Sequence, residues 1–271
     1  MRRILHFTKM NGAGNDFVVV DNRDLSLALT SDQIARLCDR HRGVGADGLL
    51  AVEPARNGAA YRMRYYNADG GEAEMCGNGA RCFARYVNKL NSFSLPAVAF
   101  ETAVGGMNAD FIGDAVRLRM TQPTGLSLNE RLTVNERDLA VHFINTGVPH
   151  AVVVVDDLEN VNVRRDGAAL RYHERFSPKG ANANFVRVLA PDLIAIRTYE
   201  RGVENETLAC GTGTVACAIV HHLLEGASPP IKVHVRGGDT LSIDFRREGD
   251  NFQEVTLTGL GEIVFEGKIE L

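Results

Sequence analysis

Two short segments of this chain, 134 positions apart, repeat one pattern of a cysteine, a Gly-x-Gly turn and an alanine-bearing helical stretch. Cys76-Gly77-Asn78-Gly79-Ala80-Arg81-Cys82-Phe83-Ala84 aligns with Cys210-Gly211-Thr212-Gly213-Thr214-Val215-Ala216-Cys217-Ala218. A polar, acidic loop precedes each, Asp69 to Glu74 in one case and Glu200 to Glu206 in the other. Such a repeat calls for two related α/β halves, each presenting one cysteine at the N-terminus of a helix. The length agrees, because 271 residues suit two compact domains or one large one. A chain of that size buries a core without a disulfide or metal staple.

Around the repeat, the periodicities predict many strands and few helices. The stretch Tyr61-Arg62-Met63-Arg64-Tyr65 alternates as a half-buried strand does. Similar signals cover 5–9, 17–21, 49–53, 97–102, 107–111 and 115–120, then 139–145, 151–155, 183–188, 193–198, 231–235, 240–245, 252–258 and 263–265. Helices are expected at Ser31–His41, opened by a Ser/Asp cap, at Gly79–Leu90, at Thr212–Leu224 and, more weakly, at Asp166–Arg175. The turn-rich segment Thr121-Gln122-Pro123-Thr124-Gly125 marks the boundary between halves.

Composition narrows the function. With 30 basic and 34 acidic residues the net charge is −4, without blocks of like charge, which argues against a nucleic-acid or membrane-surface partner. The longest apolar runs, such as 17–20 and 151–155, are far too short to span a bilayer. The start, Met1-Arg2-Arg3-Ile4-Leu5-His6, turns polar before a signal-peptide core can form, so a cytoplasmic protein with reduced thiols is expected. None of the five cysteines (38, 76, 82, 210 and 217) makes a C-x-x-C pair, so no zinc knuckle or thioredoxin-type motif is offered. The segment Gly43-x-Gly45-x-x-Gly48 spells a dinucleotide fingerprint but follows a helix and opens a strand, the reverse of the required order.

A helix N-terminus carries unpaired N–H groups and about half a positive charge. Glycines beside it let an anion approach closely. A cysteine there should have its thiol pKa drawn below the free value of about 8.5. Two such sites could hold a carboxylate while one thiolate removes the neighbouring α-proton and the other thiol returns a proton on the opposite face. Backbone N–H groups would stabilise the developing charge, and the thiols would titrate as a coupled pair. No metal and no organic cofactor is required. For Cys38, Cys82 and Cys217 ordinary burial as small hydrophobes is explanation enough.

At these residues the chain resembles the diaminopimelate epimerase family of cofactor-independent amino-acid racemases. The likeness runs through Lys9-Met10-Asn11-Gly12-Ala13-Gly14-Asn15-Asp16-Phe17, Asn67-Ala68-Asp69-Gly70, both cysteine segments, Thr146-Gly147-Val148-Pro149-His150, Asn182-Ala183-Asn184-Phe185 and Tyr199-Glu200-Arg201-Gly202. It implies an α+β fold of two pseudo-symmetric domains, each a barrel-like mixed β-sheet around a central helix. The domains would comprise residues 1–121 with 262–271, carrying Cys76, and residues 122–261, carrying Cys210. It further implies a homodimer whose small-molecule substrate is LL-2,6-diaminopimelate. Carried over, Cys76 and Cys210 are the acid/base thiols, and His150 and Glu200 poise them. Asn15, Gly77, Asn78, Gly211 and Thr212 surround the reacting centre. Asn67, Asn182, Glu200 and Arg201 hold the distal group, with Arg201 on its carboxylate in a fork geometry.

Two departures stand out. Many members carry glutamine where this chain has Gly48, and asparagine where it has Val148, each a lost polar contact. Proline and hydroxyproline racemases share the two-thiol plan, but typically have histidine in place of Asn78 and a different approach to the second cysteine. A thiol redox sensor and a non-catalytic anion-binding module are the readings from other classes. The former would show no substrate-dependent proton exchange, and the latter would survive replacement of either cysteine.

Overall fold

A computed structural model describes residues Arg3–Leu271. By its internal contacts the chain forms two compact units. One runs to Leu118 and takes in Gly259–Leu271, and the other is Arg119–Thr258. Both are α+β.

The first unit contains β1 (Ile4–Gly12), β2 (Asn15–Asp21), α1 (Ser31–Cys38), β3 (Gly48–Pro54), β4 (Tyr61–Asn67), β5 (Glu72–Ala73), α2 (Gly77–Leu90), β6 (Ala97–Thr102), β7 (Gly105–Ile112) and β8 (Ala115–Arg119). The second contains β9 (Thr124–Val134), β10 (Arg137–Asn145), β11 (Pro149–Val154), α3 (Val163–Arg171), β12 (Asn182–Ala190), β13 (Leu193–Glu200), β14 (Asn205–Thr207), α4 (Gly211–Glu225), β15 (Ile231–His234), β16 (Thr240–Glu248) and β17 (Asn251–Leu260). The last strand, β18 (Glu262–Glu270), pairs antiparallel with β1, Ile4 opposite Glu270 and Leu5 opposite Ile269.

In the first unit β1–β2, β3–β4 and β6–β7 are antiparallel, whereas β2–β3 and β4–β6 are parallel. The second repeats the mixture, with β10–β11 and β12–β13 antiparallel and β11–β12 and β13–β15 parallel. Parallel strands covered on both faces read as unbroken apolar runs, and β2 and β3 do. Val18, Val20, Leu49 and Ala51 pack with Ile34 and Leu37 of α1. The alternate residues Phe17 and Leu50 lie against the first turn of α2, where a Cβ on Gly79 would touch both side chains at 3.4 Å. In the second unit Val153, Ala183 and Phe185 pack with Val163 and Leu170 of α3. The opposite set, Val152 and Val186, lies beside Cys217 and Val220 of α4.

Each helix that follows a motif cysteine is therefore enclosed by strands. In α2 every residue from Asn78 to Ala84 is buried, as is every residue from Gly213 to His221 in α4. Helix α4, apolar nearly all round over that stretch, belongs in a core rather than on a surface, whereas α2 also buries the polar Asn78, Arg81 and Asn88.

The structure corrects several sequence-based boundaries. Helix α1 ends at Cys38, not His41, because Asp39 turns extended, and its N-cap is Thr30 in a capping box with Gln33. Helix α3 begins at Val163, capped by the Asn162 side chain, and ends at Arg171. The expected span 166–175 thus misses its first turn and runs into a separate 3-10 turn at Glu174–Phe176. Strands β5, β9 and β14 were not anticipated, and β9 begins inside the segment read as a boundary loop. Among the described residues no helix is long and apolar enough to cross a membrane.

Candidate active site

Both motif cysteines occupy the same local position. Cys76 is the N-cap of α2 and Cys210 the N-cap of α4, each in extended conformation with the helix starting at the next glycine. The expected helix starts, Gly79 and Thr212, thus fall two and one residues late. Gly77 and Asn78 form the first turn of α2, and Gly211 and Thr212 that of α4. A helix start directs its first amides outward and carries the positive end of the dipole, so each cysteine sits at the most favourable local position for a thiolate.

The surroundings of the two sulfurs differ. The Cys76 sulfur accepts from the Gly79 amide and donates to Asn15 Oδ1, both at 3.4 Å. The Cys210 sulfur lies 3.5 Å from the Thr212 hydroxyl. The other three thiols are buried. Burial pushes Cys38 up to about 11 and Cys82 up to about 12, and raises Cys217 well above its ordinary value.

Asn15 reaches Cys76 from a tight hairpin. Ala13 and Gly14 link β1 to β2 with φ of 59° and 86°, and the Gly14 amide donates to Asn11 Oδ1 at 3.0 Å. Two successive positive φ values give the primed turn that suits a two-residue hairpin. The Asn15 amide nitrogen donates to Asp47 at 2.6 Å, which leaves Oδ1 for the thiol. Asp47 in turn accepts from Arg40 at 2.8 Å, and Arg40 also forks onto Asp16 at 2.8 and 2.9 Å. Burial raises the Asp16 carboxyl, but Arg40 and Lys9 outweigh it and hold it well below the usual range. Asn78, 3% exposed, accepts from Arg81 at 3.0 Å.

At the second helix start His150 is fully buried on β11. Its Nε2 lies 3.0 Å from Thr212 Oγ1 and its Nδ1 lies 3.1 Å from Asn184 Nδ2. Burial, with the charge of Arg201 adding to it, lowers the imidazole to about 3, so the ring is neutral at physiological pH. Thr146, just upstream, ties the same turn by donating to the Thr212 carbonyl at 2.9 Å.

Glu200 ends β13, and burial raises its carboxyl above the ordinary value, with a Thr207 hydrogen bond opposing. Arg201 follows in a turn whose backbone N–H donates to Asn182 Oδ1 at 2.7 Å. The almost fully buried Asn182 side chain therefore holds the backbone from which Arg201 projects. Asn67 ends β4 and is exposed at the head of a turn that its carbonyl closes with the Gly70 amide at 2.9 Å. At Gly48, a Cβ would come 2.5 Å from the Tyr66 carbonyl and 2.7 Å from the Tyr65 ring. Any side chain at position 48 would therefore require the β4 backbone or the Tyr65 ring to shift. Val148 is half-buried in the loop before β11.

Sequence reasoning did not single out Asp47, Arg40, Asn184 or Thr198. Asp47 and Asn184 hydrogen-bond to Asn15 and His150, and Arg40 and Thr198 hydrogen-bond to Asp47 and Asn184 in turn. Only Asn184, quoted within the 182–185 motif, carried any signal. Among the described residues no group of three or more His, Cys, Asp or Glu is placed to hold a metal ion.

A chain of two α+β units, each with a cysteine capping a buried helix, has the fold of a class seen in several solved structures. A phenazine biosynthesis protein from Bacillus anthracis superposes with a TM-score of 0.73 at 16% identity, over 99% of this chain and all of that one. A hydroxyproline epimerase from Agrobacterium vitis superposes with a TM-score of 0.69 at 17% identity, over 100% of this chain and 94% of that one. Within that class the chain belongs to the diaminopimelate epimerase family, whose sequence profile matches residues 7–124 and 142–264. It is 44% identical to the diaminopimelate epimerase of Aquifex aeolicus over 98% of both chains. Against that of a Hydrogenobaculum species it is 40% identical over 97% of both.

Proposed function

We propose that this protein is an isomerase that converts LL-2,6-diaminopimelate to the meso form, using Cys76 and Cys210 as a thiolate/thiol pair and no pyridoxal phosphate. The observation that carries this reading is that both cysteines cap the buried helix of their own unit, in a chain that matches the epimerase family over residues 7–124 and 142–264. One thiolate takes the α-proton, and the electron pair it leaves delocalises onto the carboxylate. The other thiol gives its proton to the opposite face of that carbon and becomes the thiolate for the reverse direction. Amides of Gly77, Asn78, Gly211 and Thr212 bind the carboxylate as its charge develops. Asn15 borders the reacting carbon, while Asn67, Asn182, Glu200 and Arg201 take the distal amino acid group.

His150 and Glu200 poise the thiols. The neutral ring supports this because it passes a hydrogen bond without competing for substrate charge. The raised Glu200 carboxyl supports it because such a group exchanges a proton more readily at the working pH. The family likeness also supports a cytoplasmic homodimer that resupplies lysine and peptidoglycan precursors. The test is to incubate reduced protein, without cofactor, with LL-diaminopimelate and separately with L-proline. Meso-diaminopimelate should appear and proline should keep its configuration. Racemisation of proline alone would overturn the assigned substrate.

A further inference from the structure

A hydrogen-bonded chain, buried until it reaches the start of α4, runs there from β13, and the backbone fixes its direction. Asn184, fully buried, donates through Nδ2 to the Ala151 carbonyl at 3.0 Å, while its Oδ1 accepts from the Thr198 hydroxyl at 2.9 Å. A carbonyl can only accept, so the amide nitrogen must lie on that side. Its second proton faces His150 Nδ1 at 3.1 Å, which makes Nδ1 the acceptor. A neutral imidazole that accepts at Nδ1 carries its proton on Nε2. That proton points at Thr212 Oγ1, 3.0 Å away. With the threonine oxygen accepting from the ring, its own proton turns to the Cys210 sulfur at 3.5 Å.

The helix makes room for this chain. A Cβ on Gly213 would sit 2.6 Å from Asn184 Oδ1 and 3.3 Å from His150 Cε1. The titratable groups facing the chain are Arg201, after β13, and Cys210 and Cys217 on α4. In the other unit the Cys76 sulfur donates to Asn15 Oδ1 and accepts from the Gly79 amide, both at 3.4 Å.

We propose that Asn184 is a positioning residue for Cys210. By fixing the Nε2–H tautomer of His150 it turns the Thr212 hydroxyl onto the Cys210 sulfur and so favours the Cys210 thiolate in the resting enzyme. The inference rests on the reading of Cys210 as one of the two acid/base thiols. Hydrogen bonding to a charged form favours that form, and its loss moves the titration accordingly.

The test uses the full-length protein labelled with ¹⁵N-histidine, and Asn184→Asp. Ionised aspartate offers only acceptors, so Nδ1 must donate; in the neutral ring Nε2 then accepts, and the Thr212 hydroxyl is drawn back to it. Long-range ¹H–¹⁵N spectra should show His150 as the Nε2–H tautomer in the parent and with Nδ1 protonated in the variant. The pH midpoint for iodoacetamide modification of Cys210, followed by mass spectrometry, should rise by about one unit. Thr212→Val should raise that midpoint with the His150 tautomer unchanged, and Thr212→Ser should restore it, which covers the case of an unfolded Asn184 variant. An Nδ1–H tautomer in the parent, or a Cys210 midpoint that stays put in Thr212→Val, would overturn the proposal. Neither result touches the acid/base reading, which fails separately if Cys210→Ala still epimerises.

Discussion

The sulfur of Cys76 caps its own helix, accepting the amide proton of Gly79 at 3.4 Å. Cys210 holds the equivalent position in α4 without that cap bond, its sulfur directed to Thr212 instead. Identical sequence patterns thus place two thiols alike in the backbone and differently in their hydrogen bonds.

Replacing either motif cysteine removes one of the two proton-transfer groups. Cys76→Ala and Cys210→Ala should each lower kcat by about 10³-fold or more with unchanged circular dichroism. Cys82→Ala and Cys217→Ala, at fully buried helix positions, should cost stability of about 1–2 kcal/mol while activity persists. Steady-state kinetics and urea titration separate the two outcomes, and equal activity loss at all four positions would argue against special roles for Cys76 and Cys210.

Asp47 orients the amide of Asn15. In Asp47→Ala the Asn15 side chain loses its 2.6 Å anchor and can turn its nitrogen toward Cys76. The value of kcat/KM should fall by roughly ten- to a hundredfold. Asp47→Asn, which retains an acceptor but loses the charge pairing with Arg40, should fall in between. Unaltered kinetics in Asp47→Ala would show that Asn15 is held by other means.

The first glycine of one motif and the second glycine of the other face different surroundings. A Cβ at Gly77 meets nothing within 4 Å, whereas at Gly213 it meets Asn184 Oδ1 at 2.6 Å. Gly77→Ala should therefore leave the unfolding free energy within about 1 kcal/mol of the parent, with helix propensity slightly in its favour. Gly213→Ala should cost about 1–3 kcal/mol through overpacking. Denaturant midpoints decide, and equal costs would contradict the packing described.

Acid stability should carry the signature of His150. Its pKa in the folded chain is lowered from 6.5 to about 3, so the unfolded chain takes up the proton first. The stabilisation is present above the ordinary value and is lost as the pH falls from 6.5 toward about 3. In His150→Gln the slope of stability against pH across that window should flatten. An unchanged slope would mean the ring is protonated in the native state.

The elements that the sequence made legible are those with a strong local signature. Strand β4 and strand β6 fall at 61–67 and 97–102 as their patterns require. Strand β9 escaped because its eleven residues are mostly exposed or half-buried and it opens on a turn-like Thr-Gly pair. Helix α1 ends early because Asp39 and the following turn override a periodicity that continues to His41. The cysteines were legible through a duplicated motif. Asp47 and Asn184 were not, because each acts through a partner far away in sequence, 32 and 34 positions off. Such a contact exists only once the strands pair.

The most direct test of the two-thiol claim follows isotope in D₂O during the first few per cent of conversion of LL-diaminopimelate. If two separate groups serve the two faces, the meso product should carry deuterium at the inverted carbon while the recovered substrate is still almost wholly protonated there. Product that retains the substrate's own proton at that carbon would require a single base to serve both faces, and would contradict the assignment of Cys76 and Cys210 as partners.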